Sequence, residues 1–391
     1  MLVDARRHSY TEGDDWMNHK RHDSVNPSFR PLIIAMGIVL LPGLDAQACS
    51  RAFVNNNEVS KIVVRSMDLP VALPERPRLV VFPRGLERDC KRSVLPGVKG
   101  DVEGLGTNSL KWISKYGSVV MTGFDAGVSD GLNEHGLAAH MLTLVSVKHE
   151  PKDNRPELSD ALWVQYVLDN FKTVKEAVQA HEEGKFRLVA VKAPALGHSA
   201  TLGSHLAVED ATGDSAIIEY VDGKLVIHHG PEYNVMTNDP NLDEMLKRMK
   251  KYKVFGGSQE LPGESLEGEY RFVRLAAYAR LLPEPKNYNE SVAAAFSLMR
   301  IAQIPFRDPE KDKDSEPEAL WRGCQTNWVS AADLTNIIYY INSSIVPSLG
   351  WIELKDLNLD AGAPILVLDP HNPQQGGDLV KCFKTWPPSP T

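Results

Sequence analysis

Short apolar segments separated by turn residues dominate the chain from residue 49 onwards. CSRAFV, the polar turn NNNE and VSKIVVRSMD together predict a β-hairpin. GSVVMTGF and GLAAHMLTL predict two strands on either side of DAGVSDGLNEHG, which is rich in turn residues. SHLAVED, SAIIEYV and KLVIHH predict a meander further along. These segments indicate sheets built from many short strands.

Helical periodicity is concentrated in the middle of the chain. SDALWVQYVLDNF carries apolar residues at the spacing of one helix face, namely Leu162, Trp163, Tyr166 and Val167. Thr173 with Glu176 forms a capping-box pattern, which predicts a second helix continuing into VKEAVQA. Two more helices are predicted near residues 272–282 and 291–304.

The chain returns to strands in TNWVSAA and NIIYYIN, after the charged segment RDPEKDKDSEPE, which predicts a solvated loop. The final PPSP predicts a frayed terminus. No repeat and no linker long enough to separate domains interrupts this order. Because strands, helices and strands follow one another without βαβ alternation, the order predicts an α+β layered domain with largely antiparallel sheets.

The N-terminal segment departs from this pattern. Three cations precede the apolar segment PLIIAMGIVLLPGL: Lys20, Arg21 and Arg30. Small residues, Ala46 and Ala48, follow it, and Met17 is a more typical start for such a segment than Met1. Cations, a short apolar run and a small-residue site are the three parts of a secretory signal peptide. We therefore expect cleavage after Ala48.

This expectation sets the domain organisation and the location of the protein. The apolar run at residues 31–44 is shorter than the roughly 20 apolar residues of a membrane-spanning helix, which disfavours a stable membrane span. Residues 1–48 are expected to be a cleaved extension and signal peptide, and residues 49–391 a single domain. Export would place that domain in the periplasm or outside the cell.

Composition narrows the function classes. The 391 residues are 42% hydrophobic and carry a formal net charge of -8, which is typical of a packed globular protein with a mildly acidic surface. There is no basic block to bind a phosphate backbone, so nucleic acid is not an expected partner. The sequence has no phosphate-binding glycine loop and no dinucleotide fingerprint. The histidines show no metal-ligand spacing, so neither a metal nor an organic cofactor is expected.

The chain has four cysteines: Cys49, Cys90, Cys324 and Cys382. In an oxidising compartment Cys90 could pair with Cys324 or with Cys382, and the sequence does not choose between them. Cys49 could be the lipid-attachment residue of a binding lipoprotein. Against this, Ala46 stands where such sites favour Leu, and Asp45 is an unusual neighbour.

Cleavage after Ala48 would instead make Cys49 a chain end with its own base. An α-amine has a pKa near 8, so about a tenth or more of it is neutral base near pH 7. One residue would then hold both a thiol nucleophile and its base. That residue would need partners for its amine and its thiol.

Arg65 and Asp68 of VVRSMD lie on the strand predicted to pair with that of Cys49. Asp68 would bind the amine, and Arg65 would lower the thiol pKa and contact substrate. An offset of three places two residues on opposite faces of a regular strand. Both can therefore face Cys49 only if the chain bends or bulges near Met67.

Six segments, in order, resemble one enzyme family. They are CSRAF, VVRSMD, SKYGSVV with DGLNEHGLAAH, VMTNDP, LPG with YRFVR, and TNWVSAADL. Together they resemble the choloylglycine hydrolases, also called linear-amide C–N hydrolases, over nearly the whole chain after Cys49. The family includes penicillin V acylases and conjugated bile-salt hydrolases. The resemblance implies the αββα fold of N-terminal-nucleophile hydrolases, with two mostly antiparallel sheets between helical layers.

The resemblance also implies a set of site residues. The matching positions are Cys49 as nucleophile, Arg65 and Asp68 around its thiol and amine, Asn238 of VMTNDP as oxyanion donor, and Arg271 of YRFVR as a second arginine. An amide NH₂ suits the oxyanion role, because it is a neutral donor that does not titrate.

Two positions depart from the family pattern. Thr143 stands in an oxyanion and substrate-binding slot that commonly holds Asn or Tyr; a backbone N–H could still serve there, whereas substrate choice would change. The segment ESLEGEY before Arg271 is one residue longer than in bile-salt hydrolases. Asn133, Glu134 and Gly136 also match the family, and we expect them to form a turn.

The implied reaction is hydrolysis of a small-molecule N-acyl amide through a Cys49 thioester. The signal peptide, SKYGSVV and GLAAHML resemble the Gram-negative acylase branch, whose members act on penicillin V and on N-acyl-homoserine lactones. An aromatic or fatty acyl group is therefore expected. Conjugated bile salts are the alternative substrate, and acid-ceramidase-like cleavage is a third. Because family members are often homotetramers, the resemblance also implies a homo-oligomer.

Overall fold

The computed structural model describes residues 49–70, 77–98, 104–123, 127–190, 203–263, 265–306 and 324–386. Its strands are β1 Ser50–Val54, β2 Ile62–Pro70, β3 Leu79–Phe82, β4 Glu87–Asp89, β5 Lys111–Ile113, β6 Ser118–Gly123, β7 Gly127–Asn133, β8 Ala138–Thr143, β9 Glu157–Ser159, β10 Arg187–Val189, β11 Ser204–Glu209, β12 Ser215–Val221, β13 Lys224–His229, β14 Val235–Thr237, β15 Cys324–Asp333, β16 Ile338–Ser343, β17 Gly350–Glu353, β18 Leu366–Leu368, β19 Gly377–Asp378 and β20 Lys384–Thr385. Its α-helices are α1 Trp163–Asn170, α2 Val174–Glu182, α3 Leu242–Met249, α4 Gly268–Ala279 and α5 Tyr288–Met299.

Most of these strands belong to two large sheets. Sheet A has the order β14-β1-β2-β15-β16-β17-β19, and sheet B has the order β13-β12-β11-β8-β7-β6-β3-β18-β20. Among the described strands of these two sheets, neighbours run antiparallel except β17 with β19. The predicted α+β class with largely antiparallel sheets is confirmed.

Helices cover the outer faces of the two sheets. α4 and α5 pack on strands of sheet A, including β1, whereas α1 and α2 pack on β7, β8, β11 and β12 of sheet B. Apolar side chains between the sheets share one core with those of α4 and α5. Side chains on the other face of sheet B form a second core with α1 and α2. The layers therefore follow the αββα order that the resemblance implies.

β3 shows how one strand serves both cores. Leu79 and Val81 belong to the core between the sheets, whereas Val80 and Phe82 belong to the core beneath α1 and α2. Successive side chains of a strand point to opposite faces, so a strand buried on both faces needs apolar residues throughout. LVVF consequently shows no alternation.

The predicted hairpin and the predicted central helices are present. β1 pairs with β2 so that Ser50 lies opposite Ser66. The Oγ1 of Thr173 accepts a hydrogen bond from the N–H of Glu176 at 3.2 Å, which caps α2 as predicted. The two later helices are also confirmed as α4 and α5, each beginning a few residues earlier than expected.

The segment DAGVSDGLNEHG is not mainly a turn, as its composition suggested, because β7 occupies residues 127–133 between β6 and β8. A Cβ added at Gly131 would lie 2.7 Å from the carbonyl oxygen of Val119 and 2.8 Å from Leu168 in α1. The small residues of this strand therefore allow close packing of sheet and helix. The expected turn is confined to its end, where Asn133 Oδ1 accepts from the N–H groups of His135 and Leu137.

Several expectations concern other parts of the chain. Residues 1–48, 307–318 and 387–390, for which a signal peptide, a solvated loop and a frayed end are expected, lie outside the described residues. In the described part, no helix is long and apolar enough to cross a membrane. All four cysteines are described, and each is a free thiol, so neither pairing considered for Cys90 is present.

Candidate active site

Cys49 lies directly before β1, which sits between β14 and β2 inside sheet A. The residue is 2% exposed. Its Sγ lies 3.5 Å from Sδ of Met67 and 4.0 Å from the carbonyl oxygen of Asp68. The end of an interior strand therefore presents this thiol to the end of β2.

The two charged residues of β2 near Cys49, Arg65 and Asp68, contact different parts of the fold. Arg65 is fully buried and contacts sheet B, where the carbonyl oxygen of Ser129 accepts from its Nη1 at 3.1 Å. Asp68 is also fully buried, three residues further along the strand. The register between β2 and β15 shifts at this point, with one extra residue, Asn327, in β15. The bulge expected near Met67 therefore lies in β15 and not in β2, which pairs with β1 in an unbroken register from Ile62 to Ser66.

Two hydroxyl groups orient the carboxylate of Asp68. Ser66 Oγ donates to Oδ2 at 3.0 Å, and Thr326 Oγ1 donates to Oδ1 at 2.5 Å. Burial raises the pKa of Asp68 to about 6, against the opposing effects of Arg271, both hydroxyls and Arg65. Both oxygens of the carboxyl group are therefore held in place beside Cys49.

Arg271 of α4 links the nucleophile strand to the predicted oxyanion donor. Its Nη1 donates to the carbonyl oxygen of Cys49 and to Oγ of Ser50, each at 2.5 Å, and its Nη2 donates to Oδ1 of Asn238 at 3.0 Å. Burial lowers the pKa of Arg271 to about 10, so it remains a cation at neutral pH. Arg274, one turn later, instead donates to the carbonyl oxygens of Gly263 and Ser265 in the loop before α4, so Arg271 is the arginine of YRFVR that contacts Cys49.

Asn238 follows β14 and joins the end of β8. Its Nδ2 donates to the carbonyl oxygen of Thr143 at 2.9 Å. The carboxylate of Asp239 accepts from the N–H groups of Val145 and Ser146 at 2.7 and 2.9 Å, which fixes the segment after Thr143. An amide NH₂ carries two donors, so Asn238 can bond Thr143 and still offer a second hydrogen to a substrate oxygen.

The pKa of the Cys49 thiol reflects this surrounding charge. Burial raises it most strongly; Arg65 lowers it, Asp68 raises it, and Arg271 lowers it more weakly. The structure therefore brings together all six predicted site positions: Cys49, Arg65, Asp68, Thr143, Asn238 and Arg271.

Sequence reasoning missed the residues that hold these groups in place. Ser66 stands two residues before Asp68 and so shares its face of β2, a signal that alternation could have supplied. Thr326 and Ser50 lie within matched motifs, but nothing local indicates that they bond Asp68 and Arg271. Among the described residues, no group of three or more His, Cys, Asp or Glu side chains could hold a metal ion.

The chain is similar to known proteins over most of its length. Residues 49–367 match the family described as linear amide C-N hydrolases, choloylglycine hydrolase family. A penicillin V acylase of Pectobacterium atrosepticum is 35% identical over 358 residues, and the match covers 85% of this chain and 88% of that protein. The structure of a penicillin V acylase from Agrobacterium tumefaciens is 36% identical with a TM-score of 0.72, covering 87% of this chain and 98% of that one. A variant of the conjugated bile acid hydrolase from Clostridium perfringens, at 20% identity and a TM-score of 0.62 over 82% and 96% of the two chains, shares the fold.

Proposed function

Since the chain belongs to the choloylglycine hydrolase family and is therefore an amide hydrolase, we propose that it cleaves N-acyl amides of the penicillin V type with Cys49 as nucleophile. The observation that carries the proposal is the position of the Cys49 thiol. It is buried at the end of a strand, where the charges of Arg65, Asp68 and Arg271 act on it. Two relatives that are more than 30% identical to the chain are penicillin V acylases. The proposal extends to other aromatic or fatty acyl groups, including N-acyl-homoserine lactones.

In the proposed reaction, the Cys49 thiolate attacks the acyl carbon and forms a C–S bond. The carbonyl oxygen becomes an oxyanion that the second N–H of Asn238 stabilises. The α-amine of Cys49 takes the thiol proton and passes it to the leaving nitrogen as the C–N bond breaks. Water, deprotonated by the same amine, then hydrolyses the thioester and restores the thiol.

This mechanism requires removal of residues 1–48. In the full-length chain the nitrogen of Cys49 is an amide and has no basicity, so we propose that export and cleavage after Ala48 activate the enzyme. A protein that keeps one residue before Cys49 should hydrolyse no penicillin V, because its α-amine belongs to that residue and the nitrogen of Cys49 is still an amide. The measurement is the release of phenoxyacetic acid from penicillin V, compared between this protein and one that begins at Cys49. Full activity from the extended protein would refute the role of the amine.

The proposal as a whole is tested by intact mass and N-terminal sequencing of the exported protein, followed by incubation with penicillin V. We expect an unmodified chain beginning at Cys49 that releases phenoxyacetic acid. Cys49→Ala should abolish release, whereas Cys382→Ala, at a partly exposed cysteine, should retain it. Preferential hydrolysis of glycocholate would favour the bile-salt alternative. Diacylglycerol on Cys49 with no turnover would support the lipoprotein instead.

A further inference from the structure

A buried carboxylate that the proposed reaction does not use lies behind Arg65. Asp130 belongs to β7 of sheet B and is fully buried. Its Oδ1 lies 3.7 Å from Nη1 of Arg65, which is on β2 of sheet A. His140 of β8 approaches the other oxygen, with Nδ1 at 4.0 Å from Oδ2. The ion pair of Asp130 and Arg65 therefore spans the space between the two sheets.

Hydroxyl groups hold the Asp130 carboxylate in one orientation. Oδ2 accepts from Tyr339 at 2.9 Å and from Ser330, both in sheet A. Oδ1 accepts from Oγ of Ser129 at 3.2 Å. A buried charge is costly unless it is both paired and hydrogen-bonded, and Asp130 meets both conditions. The carboxylate is consequently a fixed anchor for Arg65.

With one nitrogen of the Arg65 guanidinium held at Asp130, its other terminal nitrogen points towards Cys49. While Nη1 faces Asp130, Nη2 lies 3.5 Å from Sδ of Met67, and that sulfur lies 3.5 Å from Sγ of Cys49. Burial by itself would lower the pKa of Arg65, but Asp130, followed by the Cys49 thiol, raises it above its usual value. Asp130 is thus the principal counter-charge of Arg65.

We infer that Asp130 is a positioning residue for the proposed reaction, holding the Arg65 guanidinium beside Cys49 and away from an ion pair with Asp68. Asp68 is then left to bind the α-amine. The catalytic meaning of this inference rests on the proposed function. The charges that act most strongly on the thiol are those of Arg65, Asp68 and Arg271, so Asp130 acts through Arg65.

The test is Asp130→Asn in protein that begins at Cys49. Loss of the anchoring charge releases Arg65, so the thiol pKa should rise. The kcat for penicillin V should fall by about tenfold to hundredfold, because the guanidinium that favours the thiolate is no longer held beside Cys49. The thiol pKa is measured from the pH dependence of alkylation by iodoacetamide. Mass spectrometry separates the Cys49 peptide from those of the other cysteines.

The second part of the test repeats the Asp130→Asn substitution in the Arg65→Gln variant. If Asp130 acts through Arg65, adding Asp130→Asn to that variant should change neither the thiol pKa nor kcat any further. Equal effects in both backgrounds, or a wild-type thiol pKa and kcat in Asp130→Asn alone, would overturn the inference. Asp169→Asn is the matched control, since it removes the carboxylate of another buried pair, 3.2 Å from Nε of Arg88. It should lower stability and leave the thiol pKa unchanged.

A second variant keeps the inference testable if Asp130→Asn does not fold. Tyr339→Phe removes one hydroxyl from the Asp130 carboxylate and preserves its charge, so it should raise the thiol pKa by a smaller amount. An unchanged thiol pKa would then count against the inference. Alkylation needs no substrate, so a wild-type protein that hydrolyses no amide would refute the proposed function, while the alkylation comparison would still decide the role of Asp130.

Discussion

At the residue scale, burial of the Asp68 carboxyl group makes its ionised form unfavourable in the folded protein. Burial raises its pKa from an ordinary 3.8 to about 6, so the folded chain binds more protons than the unfolded chain between these values. The contribution of Asp68 to stability therefore falls as pH rises through this window. At about 1.36 kcal/mol for each pKa unit, the cost at pH 7 is about 3 kcal/mol.

In the full-length chain, where Asp68 faces no α-amine, Asp68→Asn cannot ionise and should lose less stability between pH 4 and pH 7 than the wild type loses. Urea unfolding at the two pH values measures the difference. Asp378→Asn, at an exposed position, is the control and should follow the wild type. If Asp68→Asn loses as much stability as the wild type, the folded protein does not favour the protonated carboxyl group.

The types of the site residues could be predicted from the sequence, whereas the groups that orient them could not. Cys49, Asp68 and Asn238 have functional groups suited to their roles and lie in recognisable motifs. Thr326 and Asp130 contact the site only because the fold brings distant segments together, as when β15 pairs with β2. No local pattern encodes such a contact.

At the element scale, β7 admits only small side chains where α1 crosses it. Gly131→Ala should lower the free energy of unfolding by about 1 to 3 kcal/mol, because its Cβ would lie 2.7 Å from the carbonyl oxygen of Val119. Gly123→Ala in β6 is the matched control, since nothing lies within 4 Å of its added Cβ. Urea denaturation compares the two variants. Similar losses would show that steric packing at Gly131 is not the cause.

Elements with a visible period or cap were predicted, and those without one were missed. Thr173 with Glu176 correctly indicated α2. The same signal precedes α3, where Oδ1 of Asn241 accepts from the N–H of Glu244 at 3.1 Å, but the short helix behind it was not predicted. β3 was missed for a different reason, because a strand buried on both faces has no alternation to detect.

At the scale of the whole molecule, a second buried ion pair joins the sheets near the nucleophile. Arg51 of β1 and Glu209 of β11 are both fully buried and in contact. Arg51→Met should lower the free energy of unfolding by about 3 to 5 kcal/mol, because it removes the guanidinium from the buried Glu209 carboxylate, which then has the His140 imidazole, at 3.3 Å, beside it. The double variant Arg51→Met with Glu209→Leu should lose less.

Urea denaturation of the single and double variants decides this prediction. Lys148→Met is the surface control, since its pair with Asp222 is largely exposed and should contribute less than about 1 kcal/mol. A double variant that is less stable than Arg51→Met would show that Glu209 stabilises the sheets without its partner.

The α+β class could be predicted from the order of elements, whereas the αββα layers came only from the family resemblance. The order of the strands could not be predicted from the sequence. In sheet A, β1 pairs with β14 and β2 pairs with β15, and both partners lie far along the chain. Export, cleavage after Ala48 and homo-oligomer formation stay predictions. Light scattering of the purified protein would test the last of these.

Thr326 reaches Asp68 in a stretch where β15 carries one more residue than β2. Paired residues of an antiparallel ladder point to the same face, so Thr326 shares a face with Asp68 and Trp328 shares the opposite face with Met67, although regular alternation along β15 would put Thr326 and Trp328 on one face. Any assignment of faces by simple alternation through TNWVSAADL would therefore place Thr326 on the wrong side of the sheet. The side on which a substitution in this segment acts has to be counted from Asn327 and not from the start of the strand.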